Sequence, residues 1–168
     1  MQLQEIDKNR YRKHLNRIIV GFIASFTLLA LVFGQALIYV FSTPEGDNFR
    51  FNLAGVLLAL VVCGAILNKI KNSNLFVEVY YVWQLKQYQN QIYRKLKSIK
   101  KAASENDTAA IAILVFYYRS LKQVYELDDN TLTINNIISE LNKSITLAEE
   151  NDLDHQIIKL DKNNLKNF

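Results

Sequence analysis

Two stretches without a single charged residue, Ile18–Phe41 and Phe51–Asn68, limit what this chain can fold into. The first, IIVGFIASFTLLALVFGQALIYVF, reaches roughly 36 Å as a helix at 1.5 Å per residue. The second, FNLAGVLLALVVCGAILN, reaches roughly 27 Å. A hydrocarbon core is about 30 Å thick, so both runs meet the length of a membrane-spanning helix, the first with some tilt. Half of the 168 residues are apolar and 21% are charged, averages that describe an ordinary soluble domain and conceal the runs. A single soluble domain is excluded. So is a disulfide scaffold, because Cys63 is the only cysteine. The first run is too long for a secretory signal and lacks a small-residue cleavage pattern, so it reads as a retained span.

Ser42–Arg50 connects the runs, and Thr43-Pro44-Glu45-Gly46-Asp47-Asn48 within it is turn chemistry. A connection this short cannot cross back, so an antiparallel hairpin is expected. Lys8, Arg10, Arg12, Lys13 and Arg17 precede the first span, and Lys69 and Lys71 follow the second. The connection holds only Arg50, beside Glu45 and Asp47. The positive-inside rule then places both termini in the cytoplasm and exports the tip, in a bacterial-type inner membrane. The expected organisation is a basic N-terminus over 1–17, spans over 18–41 and 51–70, an exported loop over 42–50, and a cytoplasmic helical domain over 71–168. Arg10, Arg12, Lys13, Arg17, Lys69 and Lys71, with Tyr80 and Trp83, are candidates for contact with membrane lipids at the headgroup level.

Neither span carries Asp, Glu, Lys, Arg or His in its interior, which excludes a proton relay or coupled pump within one copy. Gly21, Ser25 and Gln35 fall on one helix face. Gly55, Ala59 and Cys63 repeat every four residues, a spacing that lets helices approach closely. These stripes serve either to pack the hairpin's own helices or to form a seam with a second copy or another membrane subunit. Cys63, in apolar company, reads as a small hydrophobe.

The remainder carries helical periodicity. Asn72-Ser73-Asn74 is a break, after which Leu75, Val79, Val82, Leu85, Ile92, Leu96, Ile99 and Ala103 mark one long amphipathic helix. Ser104-Glu105-Asn106-Asp107 ends it and caps a second helix, striped by Ile111, Leu114, Val115, Tyr118, Leu121 and Tyr125. Asp128-Asp129-Asn130-Thr131 is the next break. Ile134, Ile137, Ile138, Leu141, Ile145 and Ala148 predict a third helix, and Leu153, Ile157 and Leu160 a short fourth. Ala109–Tyr118 is too short to be another span and is closed by Asp107 and Arg119, so it is expected in a core. The fold class is therefore an all-α membrane protein: a two-helix transmembrane hairpin followed by a cytoplasmic helical hairpin or three-helix bundle. Phe76, Tyr80 and Trp83 share helical spacing and read either as bundle core or as interface aromatics.

Charge divides along the chain, from +3 over residues 1–17 and −1 over 42–50 to +7 over 69–101 and −5 over 102–168. The densest cations are Arg94, Lys95, Lys97, Lys100 and Lys101. Arg94 stands about 30 Å along a helix from Asn74, beyond electrostatic reach of a membrane surface unless the helix lies flat. A solvated face, or pairing with the acidic helices that follow, accounts for the run; no nucleic-acid-binding module accompanies it. His14 and His155 lie at opposite ends, and no zinc, haem or nucleotide motif is present. Asp128-Asp129 and the acids of 149–154 lack the loop glycine and terminal Glu of a calcium hand. No catalytic set, cofactor or metal is predicted.

Asn48-Phe49-Arg50-Phe51-Asn52-Leu53-Ala54-Gly55-Val56-Leu57-Leu58, the segment Glu78-Val79-Tyr80-Tyr81-Val82-Trp83-Gln84-Leu85-Lys86, and Asn90-Gln91-Ile92-Tyr93-Arg94-Lys95-Leu96 are distinctive. With the Tyr11-Arg12-Lys13 lead-in they resemble a family of short two-span bacterial inner-membrane proteins known as a domain of unknown function. The resemblance implies the topology and the bacterial setting, and assigns no site residues. The functional expectation is a non-enzymatic, self-associating interaction module that presents its cytoplasmic helices to a partner; a small oligomeric channel gated by those helices is the alternative.

Overall fold

A computed structural model describes residues 1–43, 46–154, 165 and 168. Among them the order is α1 (Lys8–Phe41), α2 (Phe49–Ile70), α3 (Val77–Ser104), α4 (Thr108–Leu127) and α5 (Ile134–Glu150), with no strand. Two compact units divide the chain inside α1 and again inside α3: Lys13–Tyr80 forms one, and Met1–Arg12 with Tyr81–Phe168 the other.

Within Lys13–Tyr80, α1 and α2 are the two helices long and apolar enough to cross a membrane. Helix α1 begins ten residues before the charge-free run, because Asp7 supplies an N-cap: its carboxylate accepts from the Arg10 amide at 2.7 Å. Ahead of α2 the N-cap is Asn48, which makes no capping bond through its side chain, and Asp47 before it accepts from the Phe49 amide at 2.9 Å. The two helices come closest at Gly34 and Gly55, where a Cβ on Gly55 would stand 2.5 Å from the Gly34 backbone nitrogen. Only residues without side chains allow that approach. Phe41 stacks on Phe51 nearer the connection, with ring centroids 6.4 Å apart. After α2 the chain turns through Asn72–Phe76, where the Phe76 amide bonds the Ser73 carbonyl at 2.8 Å. Leu75, expected to open α3, belongs to this turn, and α3 starts at Val77.

In the other unit α4 is the hub. Ile111, Ile113, Val115 and Phe116 are fully buried, which is where Ala109–Tyr118 was expected. Tyr88 of α3 meets Phe116 edge-on at 5.7 Å, and α5 packs on α4 through Leu141, Ser144 and Ala148. Gln89, buried on α3, donates to Ser120 Oγ at 3.1 Å, and Ser120 donates in turn to the Tyr117 carbonyl at 2.7 Å. That chain satisfies polar groups which would otherwise cost about 1–3 kcal/mol each. The α3–α4 turn is capped by Asp107, which accepts from the Ala110 amide at 2.9 Å. Asn106 before it takes a left-handed conformation at φ 62°, which Asn tolerates better than most residues. Of the short fourth helix expected near the end, Ile157 and Leu160 lie outside the described residues, and Leu153 follows α5 without being helical.

Candidate functional site

Two constellations concentrate the polar and apolar features of the chain, one in each unit. The first is built on the α4–α5 turn. Asp128 accepts from the Tyr11 hydroxyl at 3.2 Å and pairs with Lys86 at 2.7 Å. Asp129 pairs with both Lys8 and Arg12. Asp129 sits at φ 56°, a left-handed conformation that aims its carboxylate back at the start of α1. Ahead of α1 the backbone amide of Gln4 bonds the Tyr81 hydroxyl at 2.9 Å, and Gln123 donates to the Gln4 carbonyl. Tyr11, 2% exposed, is the buried pin of this clasp. Tyr81 is held above the usual phenol range, chiefly by its burial. Asp129 therefore binds two of the chain's own N-terminal cations, while Asp128 holds Tyr11 and Lys86.

A second acidic residue organises the far end of this unit. Glu140 on α5 accepts from Lys100, Lys143 and the Tyr118 hydroxyl at 2.8, 2.8 and 3.1 Å. The two lysine ammonium groups draw its carboxyl down to about 2. Lys100 rises in return, mainly through its bond to Glu140. Tyr117, next to Tyr118, is pushed up to about 12, first by burial and then by the neighbouring tyrosines. Pairing with the acidic helices thus absorbs Lys100 of the basic run, and Lys95 bonds the Leu165 carbonyl at 2.6 Å. Arg94, Lys97 and Lys101 stay exposed.

The second constellation, in Lys13–Tyr80, is an apolar cleft of about 240 Å³. Arg17, Ile18, Gly21, Phe22 and Ser25 of α1 form one wall. Cys63, Ile66, Leu67 and Ile70 of α2 form the other, and Leu75 and Phe76 close its end. Nearby, His14 Nδ1 faces Glu78 Oε2 at 3.3 Å, both side chains largely covered.

The structure brings Gly21, Ser25 and Cys63 into one cleft, with Gln35 outside its lining. Gly55, Ala59 and Cys63 are the buried residues of α2. Their counterpart on α1 is Gly34, which stands four residues after Ala30 in the same small-residue spacing; both lie against Gly55. Gly21, Ser25 and Gln35 are all exposed, the first two in the cleft wall. Trp83, read either as bundle core or as an interface aromatic, is 54% exposed, whereas Phe76, Tyr81 and Tyr88 are buried and Tyr80 is partly covered. The buried face of α3 runs through Val82, Leu85, Ile92, Ile99 and Ala103, which helical spacing marked, together with Tyr81, Tyr88 and Gln89, which it did not. Among the predicted lipid contacts, Arg12 has a protein partner in Asp129. Lys71 bonds the Asn68 side chain and lies 5.8 Å from the Tyr80 ring. Lys13, Arg17 and Lys69 are exposed, as is Arg10. Among the described residues no three His, Cys, Asp or Glu side chains converge to hold a metal ion.

The family model described as "Protein of unknown function (DUF3087)" matches residues 1–165. The chain belongs to that family. The match runs through both units, so the DUF3087 unit includes the apolar helices, the clasp on Asp128–Asp129 and the α3–α5 bundle alike. No curated protein and no solved structure matches the chain.

Proposed function

We propose that this chain is a two-pass protein of a bacterial inner membrane, with both ends cytoplasmic, that self-associates and presents α3–α5 to a partner as a non-enzymatic interaction module. One observation carries the reading: the apolar surface of α1 and α2 is almost wholly uncovered by the chain itself. Their most apolar windows are only 6% and 17% buried, although α4 shows that this fold buries a core helix where one is needed. Val20, Leu28, Leu31, Val61 and Leu58 stand exposed on the two helices. Apolar patches of that extent are not left in water; lipid is the medium that covers them. The basic residues before the first charge-free run and after the second support the orientation.

Self-association rests on Gln35. Its side chain is exposed on α1 and has no hydrogen-bond partner among the described residues. An unpaired amide is costly in hydrocarbon, and the same residue of a second copy supplies the missing donor and acceptor. Carbonate extraction of native membranes, followed by crosslinking in the bilayer, tests both parts. The reading expects the chain in the carbonate-resistant pellet and a dimer band that Gln35→Leu depletes. Release by carbonate contradicts the membrane assignment, and a strict monomer contradicts self-association.

A further inference from the structure

The α1–α2 cleft is an apolar hollow with one cation on its rim. Ile18 and Phe22 face Ile66, Leu67 and Ile70 across it, and Arg17 is its charged lining residue. The hollow is kept open by what the helices omit. A Cβ placed on Gly21 would meet nothing within 4 Å, so an ordinary side chain would fit there and reduce the space. At about 240 Å³ it falls below the ~300–1,000 Å³ of pockets that enclose a whole small molecule. It suits part of one flexible apolar chain.

The rim specifies what that chain is attached to. Arg17 is exposed and has no carboxylate partner among the described residues. Lys13, one helical turn before it, is exposed too. A guanidinium presents a planar fork of donors that matches a phosphate in two parallel hydrogen bonds. Arg17 also precedes the charge-free run directly, which puts it at headgroup depth if α1 spans the bilayer from Ile18. Apolar walls below a phosphate-binding cation describe an amphiphile in its membrane orientation.

We propose that this cleft is a binding site for an anionic glycerophospholipid of the cytoplasmic leaflet, one acyl chain lying between α1 and α2 and the phosphate on Arg17. The site rests on the membrane reading above and adds a ligand class to it. Lys13 favours a lipid of net negative charge over a zwitterionic one.

The test uses full-length protein reconstituted into nanodiscs of equal phosphatidylglycerol and phosphatidylcholine, released into the gas phase and weighed with its retained lipids. Wild type is expected to keep one phosphatidylglycerol in preference to phosphatidylcholine. Arg17→Gln is expected to lower that retention about tenfold, as loss of a charge-assisted pair does. Gly21→Leu fills the hollow without a backbone clash and is expected to lower it as well. Unchanged phosphatidylglycerol retention in both variants, or equal retention of the two lipids by wild type, overturns the proposal. Carbonate extraction of the same variants keeps the two readings apart. A chain that resists carbonate but ignores these substitutions loses only the lipid site, whereas a chain that carbonate releases loses the membrane assignment and the lipid site with it.

Discussion

Gly55 meets Gly34 so closely that the backbone of α1 occupies the space a methyl group on Gly55 would need, 2.5 Å from the Gly34 nitrogen and 3.1 Å from the Ala30 carbonyl. Those neighbours are main chain, so they cannot rotate away. Gly55→Ala is therefore expected to destabilise the α1–α2 pair by about 1–3 kcal/mol, the usual cost of overpacking. Gly64, on the same helix, has nothing within 4 Å of an added Cβ. Gly64→Ala should be neutral or gain up to about 1 kcal/mol from helix propensity. Loss of helical circular dichroism on titration with a denaturing detergent reads both.

In the bundle, Ser120→Ala removes the acceptor of the buried Gln89 amide. The expected cost is about 1–3 kcal/mol, the desolvation penalty of an unmet donor. Replacing both groups with apolar residues of similar shape, Gln89→Leu with Ser120→Ala, should recover part of it. Thermal unfolding of the two variants beside wild type measures the difference. A double variant less stable than Ser120→Ala alone would contradict the pairing.

Glu140 links stability to acid. Its carboxyl titrates near 2 in the folded chain, below its ordinary value, so its pairing contributes fully above about pH 5 and is lost as pH falls toward 2. The side chain is 32% exposed, and solvent screening reduces the contribution to on the order of 1 kcal/mol. Wild type should lose about that much between pH 5 and 2 relative to Glu140→Gln, with the two stability curves converging at the acid end. Parallel curves would contradict the assignment.

Much of this was legible in one dimension, and the main omission was a pairing between distant segments. The breaks at 104–107 and 128–131 separate α3, α4 and α5 as observed, because capping and turn residues act locally. Gly55, Ala59 and Cys63 could be found through their repeat, and they are buried. Gly34, their neighbour, was legible by the same rule, four residues after Ala30. The clasp was invisible for a different reason. Lys8 and Arg12 are more than a hundred residues from Asp129, and a charge count places bases near the start and acids near the end without pairing them. For Trp83, spacing from Phe76 and Tyr80 left bundle core and interface both open, and its exposure on α3 removes only the core reading.

The clasp yields its own prediction. Asp129 carries two cations but is about half exposed, so Asp129→Asn, which tolerates a positive φ, should cost under about 1 kcal/mol. Asp129→Val should cost about 1–2 kcal/mol more, because a β-branched residue resists the left-handed conformation. Thermal melts of the two variants separate charge from backbone strain. Equal melting temperatures would mean that the conformation at φ 56° contributes nothing.

Membrane topology is the claim on which the functional reading depends, and the chain is well suited to its measurement. Cys63 is the only cysteine and is 3% exposed, so Cys63→Ala provides a background in which single cysteines can be introduced. Asp47→Cys between α1 and α2, and Asn130→Cys between α4 and α5, replace exposed residues. With a membrane-impermeant maleimide on intact cells, the account predicts labelling of Asp47→Cys at once and of Asn130→Cys only after lysis. Labelling of Asn130→Cys in intact cells, or protection of Asp47→Cys until lysis, would contradict it.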